Sequence, residues 1–86
     1  MKHQIELDFA GAVIEATKAI EIDPLNGAAY YLRGYNRFDL QDYVGSIEDL
    51  SYCLSLPYPY KSKVYNCRGW CYKILGDYFL FNFLTF

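Results

Sequence analysis

The sequence has no marked excess of either charge. Its 86 residues carry eight Lys and Arg against ten Asp and Glu, which gives a net charge of −2. Proteins that bind nucleic acid usually show a basic patch or stripe, whereas the basic residues here are scattered along the chain. No apolar run approaches the ~18 residues that a membrane span requires. The composition therefore argues against nucleic acid as a partner and against a membrane span.

The chain has an odd number of cysteines, three, which include Cys67 and Cys71, four residues apart. The N-terminus runs directly into polar residues without the apolar core of a signal peptide, so we expect a reducing, cytoplasmic location. A helix would place Cys67 and Cys71 on one face, where Cys53 and His3 could complete a zinc site. Free cysteines are more often buried, so we expect Cys53 and Cys71 to be buried and predict no metal.

The chain also lacks recognisable catalytic motifs. It contains no glycine-rich phosphate loop and no nucleophile elbow, and its one histidine, His3, lies near the N-terminus. The central acidic residues fit a turn and a solvated helix face; they are Asp39, Asp42, Glu48 and Asp49. We therefore predict that the protein is not an enzyme and uses no cofactor.

An internal repeat is the main feature that the sequence does contain. Asp8-Phe9 recurs 34 residues later as Asp42-Tyr43, and Arg33-Gly34 recurs 35 residues later as Arg68-Gly69. The additional residue falls in the linker 57–60, where a loop can absorb it at little entropic cost. A fixed period of this length indicates stacked helix-turn-helix units.

The repeat pattern resembles the tetratricopeptide repeat, which has the same period. In the central unit Tyr30 occupies the Trp position, Gly34 the Gly position and Ser46 the small position of the second helix. Two residues depart from the family pattern, because Arg33 and Arg37 stand where an aliphatic and an aromatic residue are usual.

The flanking units carry the pattern in part. The third unit has Tyr65, Gly69 and Tyr72 in register, and the first supplies Pro24. The resemblance covers residues 7–78. It implies an all-α, helix-turn-helix repeat solenoid of about 2 to 2.5 repeats with roughly five helices, including a short C-terminal one.

One small domain is predicted over residues 1–86. Residues 7–26 would form the second half of a first repeat, residues 27–60 a complete repeat, and residues 61–86 an incomplete third repeat with an apolar tail. The predicted helices are 10–22, 27–40, 43–56 and from Ser62 to about Leu75.

Turn residues mark the predicted helix ends. Asn26, Asp42 and Ser62 are the predicted N-caps. Asp23-Pro24 should end the first helix, because a residue before proline avoids the helical conformation. Gly76 should end the fourth.

The last nine residues, Tyr78 to Phe86, break the pattern, because Phe81 stands where the repeat needs a small residue. Their composition is that of an aggregation-prone β segment, but it equally fits two turns of helix that cover the core. Such arrays generally need about three repeats and polar ends. We therefore hypothesise a fragment of a longer array, a truncated reading frame, or a protomer that pairs through its exposed repeat ends.

The resemblance implies a protein-interaction module. In this family the first helices of successive repeats line a concave groove that holds an extended peptide or a helix of a partner protein. The implied groove residues are Tyr31, Leu32, Tyr35, Phe38, Lys63, Asn66, Cys67, Trp70 and Lys73. Tyrosine and tryptophan dominate binding hot spots, so Tyr31, Tyr35 and Trp70 are the predicted anchors. The alternative is that these rings pack between helices.

The expected partner is a protein segment with acidic residues, since Arg33, Lys63 and Lys73 would lie near it. A carboxylate clamp for a chaperone C-terminus is not expected, because Leu32 and Cys67 replace the Asn and Arg that it needs. A rival interpretation is self-association that buries the 79–86 tail.

Overall fold

The computed structural model of the chain describes residues 8–84, with the side chains of residues 8–80. Within residues 8–84 the structure consists of four α-helices without a β-strand: α1 (Phe9–Ile22), α2 (Gly27–Asp39), α3 (Tyr43–Leu54) and α4 (Lys61–Leu84). The all-α prediction is confirmed for this part of the chain. The expectations for His3, Leu7 and the last two residues lie outside the described residues.

The first three helices each begin at a polar N-cap. The side chains of Asp8, Asn26 and Asp42 accept hydrogen bonds from the backbone N–H three residues later, at 2.8, 3.1 and 3.0 Å. Each cap satisfies one of the N–H groups that have no partner within the helix. The predicted caps Asn26 and Asp42 are confirmed, as is the end of α1 before Asp23-Pro24.

α3 ends at Leu54, two residues before the predicted end. The backbone N–H groups of Ser55 and Leu56 donate to carbonyls three residues back, which tightens the chain before the prolines. Lys61 Nζ then donates to the carbonyls of Leu54 and Leu56 at 3.0 and 3.1 Å. This lysine therefore satisfies carbonyls that the end of α3 leaves without helical partners.

α2 ends in a Schellman motif. The Gln41 N–H donates to the Phe38 carbonyl at 2.9 Å, and the Asp42 N–H donates to the Arg37 carbonyl at 2.8 Å. The motif requires a left-handed residue, and Gln41 fills that position with φ of 66°. Glycine is favoured there because a Cβ atom crowds the backbone in the left-handed region.

We expect Gln41→Gly to stabilise the fold by about 0.5 to 1 kcal/mol, since relief of the left-handed strain exceeds the greater entropy of glycine in the unfolded chain. Urea denaturation measures the effect as a higher midpoint with an unchanged slope. Gln41→Ala is the control, because alanine keeps the Cβ atom and should give no gain. Equal midpoints for the two variants would contradict this account.

Two predictions about α4 are wrong. The helix begins at Lys61, so Ser62 lies inside its first turn, and it continues through Gly76 to Leu84. The fourth helix and the short fifth helix are thus one helix of 24 residues in the described part of the chain. A glycine inside a helix costs about 1 kcal/mol, less than the backbone hydrogen bonds that an early end would lose. Of the two interpretations of the tail, residues 78–84 are helical rather than β.

The helices pack in chain order: α1 on α2, α2 on α3, and α3 on α4, with a smaller contact between α2 and α4. The main buried cluster lies among the last three helices and consists of Leu50, Cys53, Val64, Cys67 and Cys71. Partly buried aromatic residues pack against it, among them Tyr30, Tyr31, Phe38, Tyr43 and Tyr58. This packing brings α2 and α4 next to each other, which creates the candidate site.

An ion cluster lies between α2 and α3, where Asp49 is only 3% exposed. The prediction of a solvated face is therefore wrong for this residue. Its carboxylate accepts hydrogen bonds from Arg33 Nε and Nη2 at 2.9 and 2.8 Å and from Arg37 Nη1 at 2.8 Å. The hydrogen bond with Asp49 raises the pKa of Arg33. Burial of Asp49 is tolerated because both arginines pair with it, and Arg33 is consequently engaged within the fold rather than facing a partner.

Candidate functional site

The structure forms an open groove between α2 and α4 with a volume of about 730 Å³. Each helix contributes residues spaced along one face. The lining residues are Tyr31, Leu32, Tyr35 and Phe38 from α2 and Lys63, Asn66, Cys67 and Trp70 from α4. A volume of ~300–1,000 Å³ is usual for ligand pockets. We call this feature the α2–α4 groove.

Eight of the nine residues predicted for a groove line this one. Lys73 does not line the groove; its Nζ pairs with Asp77 at 3.1 Å on an exposed surface. Exposed ion pairs within a helix contribute little to stability. The geometry therefore brings the predicted set together apart from Lys73, while its role in binding stays a prediction.

The three predicted anchors differ in burial. Tyr35 and Trp70 are 45% and 56% exposed, so much of each ring faces solvent. Tyr31 is partly buried, and its ring centre lies 5.8 Å from those of Tyr58, on which it stacks, and of Tyr35. Tyr31 thus belongs partly to the core, as the alternative interpretation expected, whereas Tyr35 and Trp70 present apolar area that a ligand could cover.

Lys63 is the one charged side chain among the described lining residues. Its Nζ lies 5.6 Å from the centre of the Tyr60 ring, a cation–π distance. Asn66 adds an amide to the same wall, and the remaining lining is aromatic, aliphatic or thiol. The groove is therefore mainly apolar, with a single positive charge on the α4 side.

Cys67 lies at the base of the groove and is buried. Burial, with a smaller contribution from the neighbouring Cys71, raises the pKa of the Cys67 thiol to about 11. The thiolate is the nucleophilic form of cysteine, so this thiol stays protonated and unreactive at neutral pH. Cys53 and Cys71 are buried as predicted, and all three cysteines are free. No three His, Cys, Asp or Glu side chains within the described range stand close enough together to hold a metal ion.

We expect the free energy of unfolding to fall between about pH 9 and about pH 11. The unfolded Cys67 thiol has its ordinary pKa of 9.0 and the folded thiol a pKa of about 11, so the unfolded chain releases its proton first as pH rises. The contribution of Cys67 is fully present below pH 9 and is lost above about pH 11. A difference of this size corresponds to about 2 to 3 kcal/mol.

Urea denaturation from pH 8 to pH 11 on the wild type and on Cys67→Ala measures this contribution. In Cys67→Ala the free energy of unfolding should fall less steeply with pH. The two proteins are therefore compared by the slope of this free energy against pH, not by its value at one pH. Burial also raises the pKa of Cys53, Tyr31 and Tyr58, so both proteins should retain a decline at high pH. Identical pH dependence in the two proteins would refute the assignment to Cys67.

The sequence interpretation missed the contribution of the linker. Tyr58 lies in the linker between α3 and α4. Its ring stacks on Tyr31 and also meets Tyr60, with the ring centres of Tyr58 and Tyr60 5.6 Å apart. The alternation of proline and tyrosine over 57–60 is the available sign, because proline fixes the backbone and an aromatic ring offers a large apolar area for packing. The linker thus supports the groove from beneath Tyr31.

Comparison of the chain with protein-family models, curated proteins and solved structures gave no match. None of the described helices, α4 included, combines the length and hydropathy needed to cross a bilayer.

Proposed function

We propose that the protein is a tetratricopeptide-like repeat solenoid that acts as an interaction module, with the α2–α4 groove holding a peptide or helix of a partner protein. The observation that carries the proposal is the pair of half-exposed aromatic side chains, Tyr35 and Trp70, on the two helices that wall the groove. Aromatic side chains with one face in water are the usual anchors of protein interfaces.

The chemistry of the groove describes the partner segment. Its apolar side chains would cover Leu32, Phe38 and the two exposed rings, and an acidic residue would lie near Lys63. Because Lys63 is exposed, its ion pair would contribute at most about 1 kcal/mol, and apolar burial would supply most of the affinity. The three free cysteines favour a reducing compartment, so we place this interaction in the cytoplasm, without catalysis, cofactor or nucleic acid.

Trp70 provides the test, because it is the single tryptophan of the chain. Peptides selected from a displayed random library against residues 1–86 would be titrated while the Trp70 emission is followed. We expect saturable binding with a shift of the emission to shorter wavelength. Tyr35→Ala should weaken binding at least about tenfold, as expected for a hot-spot ring, with an unchanged helical circular dichroism spectrum.

Tyr52→Ala is the matched control for this experiment. Tyr52 is an exposed ring on α3 that does not line the groove, so its removal should leave peptide affinity unchanged. Trp70→Ala would be measured with a fluorescent peptide instead. Loss of helical signal in Tyr35→Ala would make that ring part of the core, and full binding by both groove variants would show that the segment binds elsewhere.

A further inference from the structure

A second, smaller opening of about 260 Å³ lies between α1 and α2. We call it the α1–α2 cleft, and its lining residues are Glu15, Ala16, Ala19, Asn26, Ala28, Ala29 and Leu32. Among the described helices, α1 packs against α2 alone. The alanines would allow another helix to approach closely, and the contacts of α2 and α4 indicate which helix fits.

Two arginines, 35 residues apart, make the same contact with the helix before them. Arg33 Nη1 donates to Thr17 Oγ1 of α1 at 3.2 Å, and Arg68 Nη1 donates to Ser51 Oγ of α3 at 3.0 Å. Thr17 and Ser51 are 34 residues apart. At this point α4 therefore packs on α3 as α2 packs on α1.

Arg33 also contacts the helix that follows it, through its two hydrogen bonds to Asp49 of α3 at 2.8 and 2.9 Å. The residue 34 positions before Asp49 is Glu15, on the wall of the α1–α2 cleft. The Glu15 side chain is 72% exposed, with Lys18 at 3.5 Å. Glu15 and Arg68 thus correspond to the Asp49–Arg33 pair, but they lie at opposite ends of the molecule.

Gly34 and Gly69, which follow the two arginines, also differ in whether another helix packs against them. A Cβ atom on Gly34 would lie 2.9 Å from the Leu50 side chain, because α3 packs directly against α2. A Cβ atom on Gly69 would meet no described atom within 4 Å. The residue 34 positions before Leu50 is Ala16, which is 2% exposed and lies in the floor of the α1–α2 cleft.

We propose that α4 of one molecule binds in the α1–α2 cleft of a second copy of this chain. Arg68 then pairs with Glu15 of the second copy, and Gly69 packs on Ala16 of the second copy. The proposed pair of Arg68 with Glu15 corresponds to the pair of Arg33 with Asp49. The close approach of a helix to Gly69 corresponds to the approach of α3 to Gly34. Because two different surfaces meet, the contact is head-to-tail, and successive copies form a ring or an open filament.

The α1–α2 cleft and the α2–α4 groove have one lining residue in common, Leu32, whereas the anchors Tyr35 and Trp70 line the groove alone. Tyr35, which corresponds to Trp70 at an offset of 35, stays 45% exposed although α2 is packed on its neighbouring helices. Trp70 should likewise remain accessible when α4 is covered by a second copy. The inference therefore goes beyond the proposed function and does not depend on it.

Sedimentation velocity of residues 1–86 over a range of concentrations tests the proposal with two charge-reversed variants, Glu15→Arg and Arg68→Glu. The wild type should gain mass as concentration rises. Each variant alone should associate at least about tenfold more weakly, because like charges then meet at every interface. An equimolar mixture should recover the wild-type association, since every interface between unlike variants again joins one acid with one base.

Two further variants control for folding and for general charge effects. Glu21→Arg makes the same charge change elsewhere on α1, outside the lining of the cleft, and should associate like the wild type. Gly69→Leu should keep the helical circular dichroism spectrum, because a Cβ atom at this position meets none of the described atoms within 4 Å, yet the larger side chain should abolish the close contact. A wild type that stays monomeric at all concentrations overturns the proposal. So does a mixture that fails to associate while the wild type does.

Separate variants test peptide binding in the α2–α4 groove and association through the α1–α2 cleft, so the failure of one proposal can be distinguished from the failure of the other. Tyr35→Ala lies outside the proposed interface, so it should reduce peptide binding and leave the sedimentation of the chain unchanged. Arg68→Glu should do the reverse, since Arg68 does not line the α2–α4 groove.

Discussion

Asp49→Ala is expected to lower the free energy of unfolding by about 3 to 5 kcal/mol, because it leaves two arginines without their buried acceptor. The carboxylate is 3% exposed and receives three hydrogen bonds of 2.8 to 2.9 Å from Arg33 and Arg37. Removal of one partner of a buried pair is costly because the charges that remain are poorly solvated. A loss of this size would be a large fraction of the stability of a domain of this length.

Urea denaturation measured at the temperature of maximum stability would quantify the loss. Asp49→Asn should cost less, because the amide oxygen can still accept one hydrogen bond while its NH₂ group faces an arginine. Glu48→Ala is the matched control, since Glu48 is an exposed acid on the same helix and should change stability by less than about 0.5 kcal/mol. Comparable losses for Asp49→Ala and Glu48→Ala would show that the ion cluster does not stabilise the fold.

Gly34→Ala is expected to destabilise the protein by about 1 to 3 kcal/mol, although alanine is the better helix former. The added Cβ atom would lie 2.9 Å from two carbons of the Leu50 side chain and 3.2 Å from Asp49 Cβ. The Ser46 hydroxyl donates to the Gly34 carbonyl at 2.7 Å, which holds α2 and α3 together at this point. The helices therefore cannot separate to accommodate the methyl group without loss of that hydrogen bond.

Gly69→Ala provides an unusually close control for this prediction. The same substitution at the corresponding position of α4 meets no atom of the described residues within 4 Å, so it should stabilise the monomer by up to about 1 kcal/mol through helix propensity. Thermal denaturation of both variants, at a concentration where the chain is monomeric, gives the comparison. A gain in both proteins would show that α2 and α3 do not approach as closely as described.

The helix ends that could be predicted from the sequence are those that depend on interactions between residues close together in the chain. Asn26 and Asp42 cap helices through hydrogen bonds to residues three positions away, and Pro24 restricts its immediate neighbour, so the surrounding fold has little influence. The predicted helix end at Gly76 is wrong because α4 continues through it. A glycine ends a helix only where the chain reverses, and the local sequence does not determine whether the chain reverses. The helix-face spacing carried most of the groove prediction, and Lys73 is the one predicted residue that does not line the groove.

The ion cluster could not be predicted because it depends on contacts between distant residues. Arg33 and Arg37 depart from the repeat pattern, and their common acceptor, Asp49, lies 12 to 16 residues further along the chain. Seen in the structure, the two departures belong together, since each arginine neutralises part of the same buried charge. The reason for both arginines becomes clear only when they are considered together with the buried Asp49.

Packing in chain order also shapes how the protein opens and folds. Because α1 contacts α2 alone among the described helices, it can detach without disturbing the buried cluster, and its amide hydrogens should exchange with solvent early. α3 is covered by helices on both sides, so its amides should be the last to exchange. Because most contacts join consecutive helices, their formation closes only short loops. Proteins dominated by such local contacts fold on the microsecond to millisecond timescale.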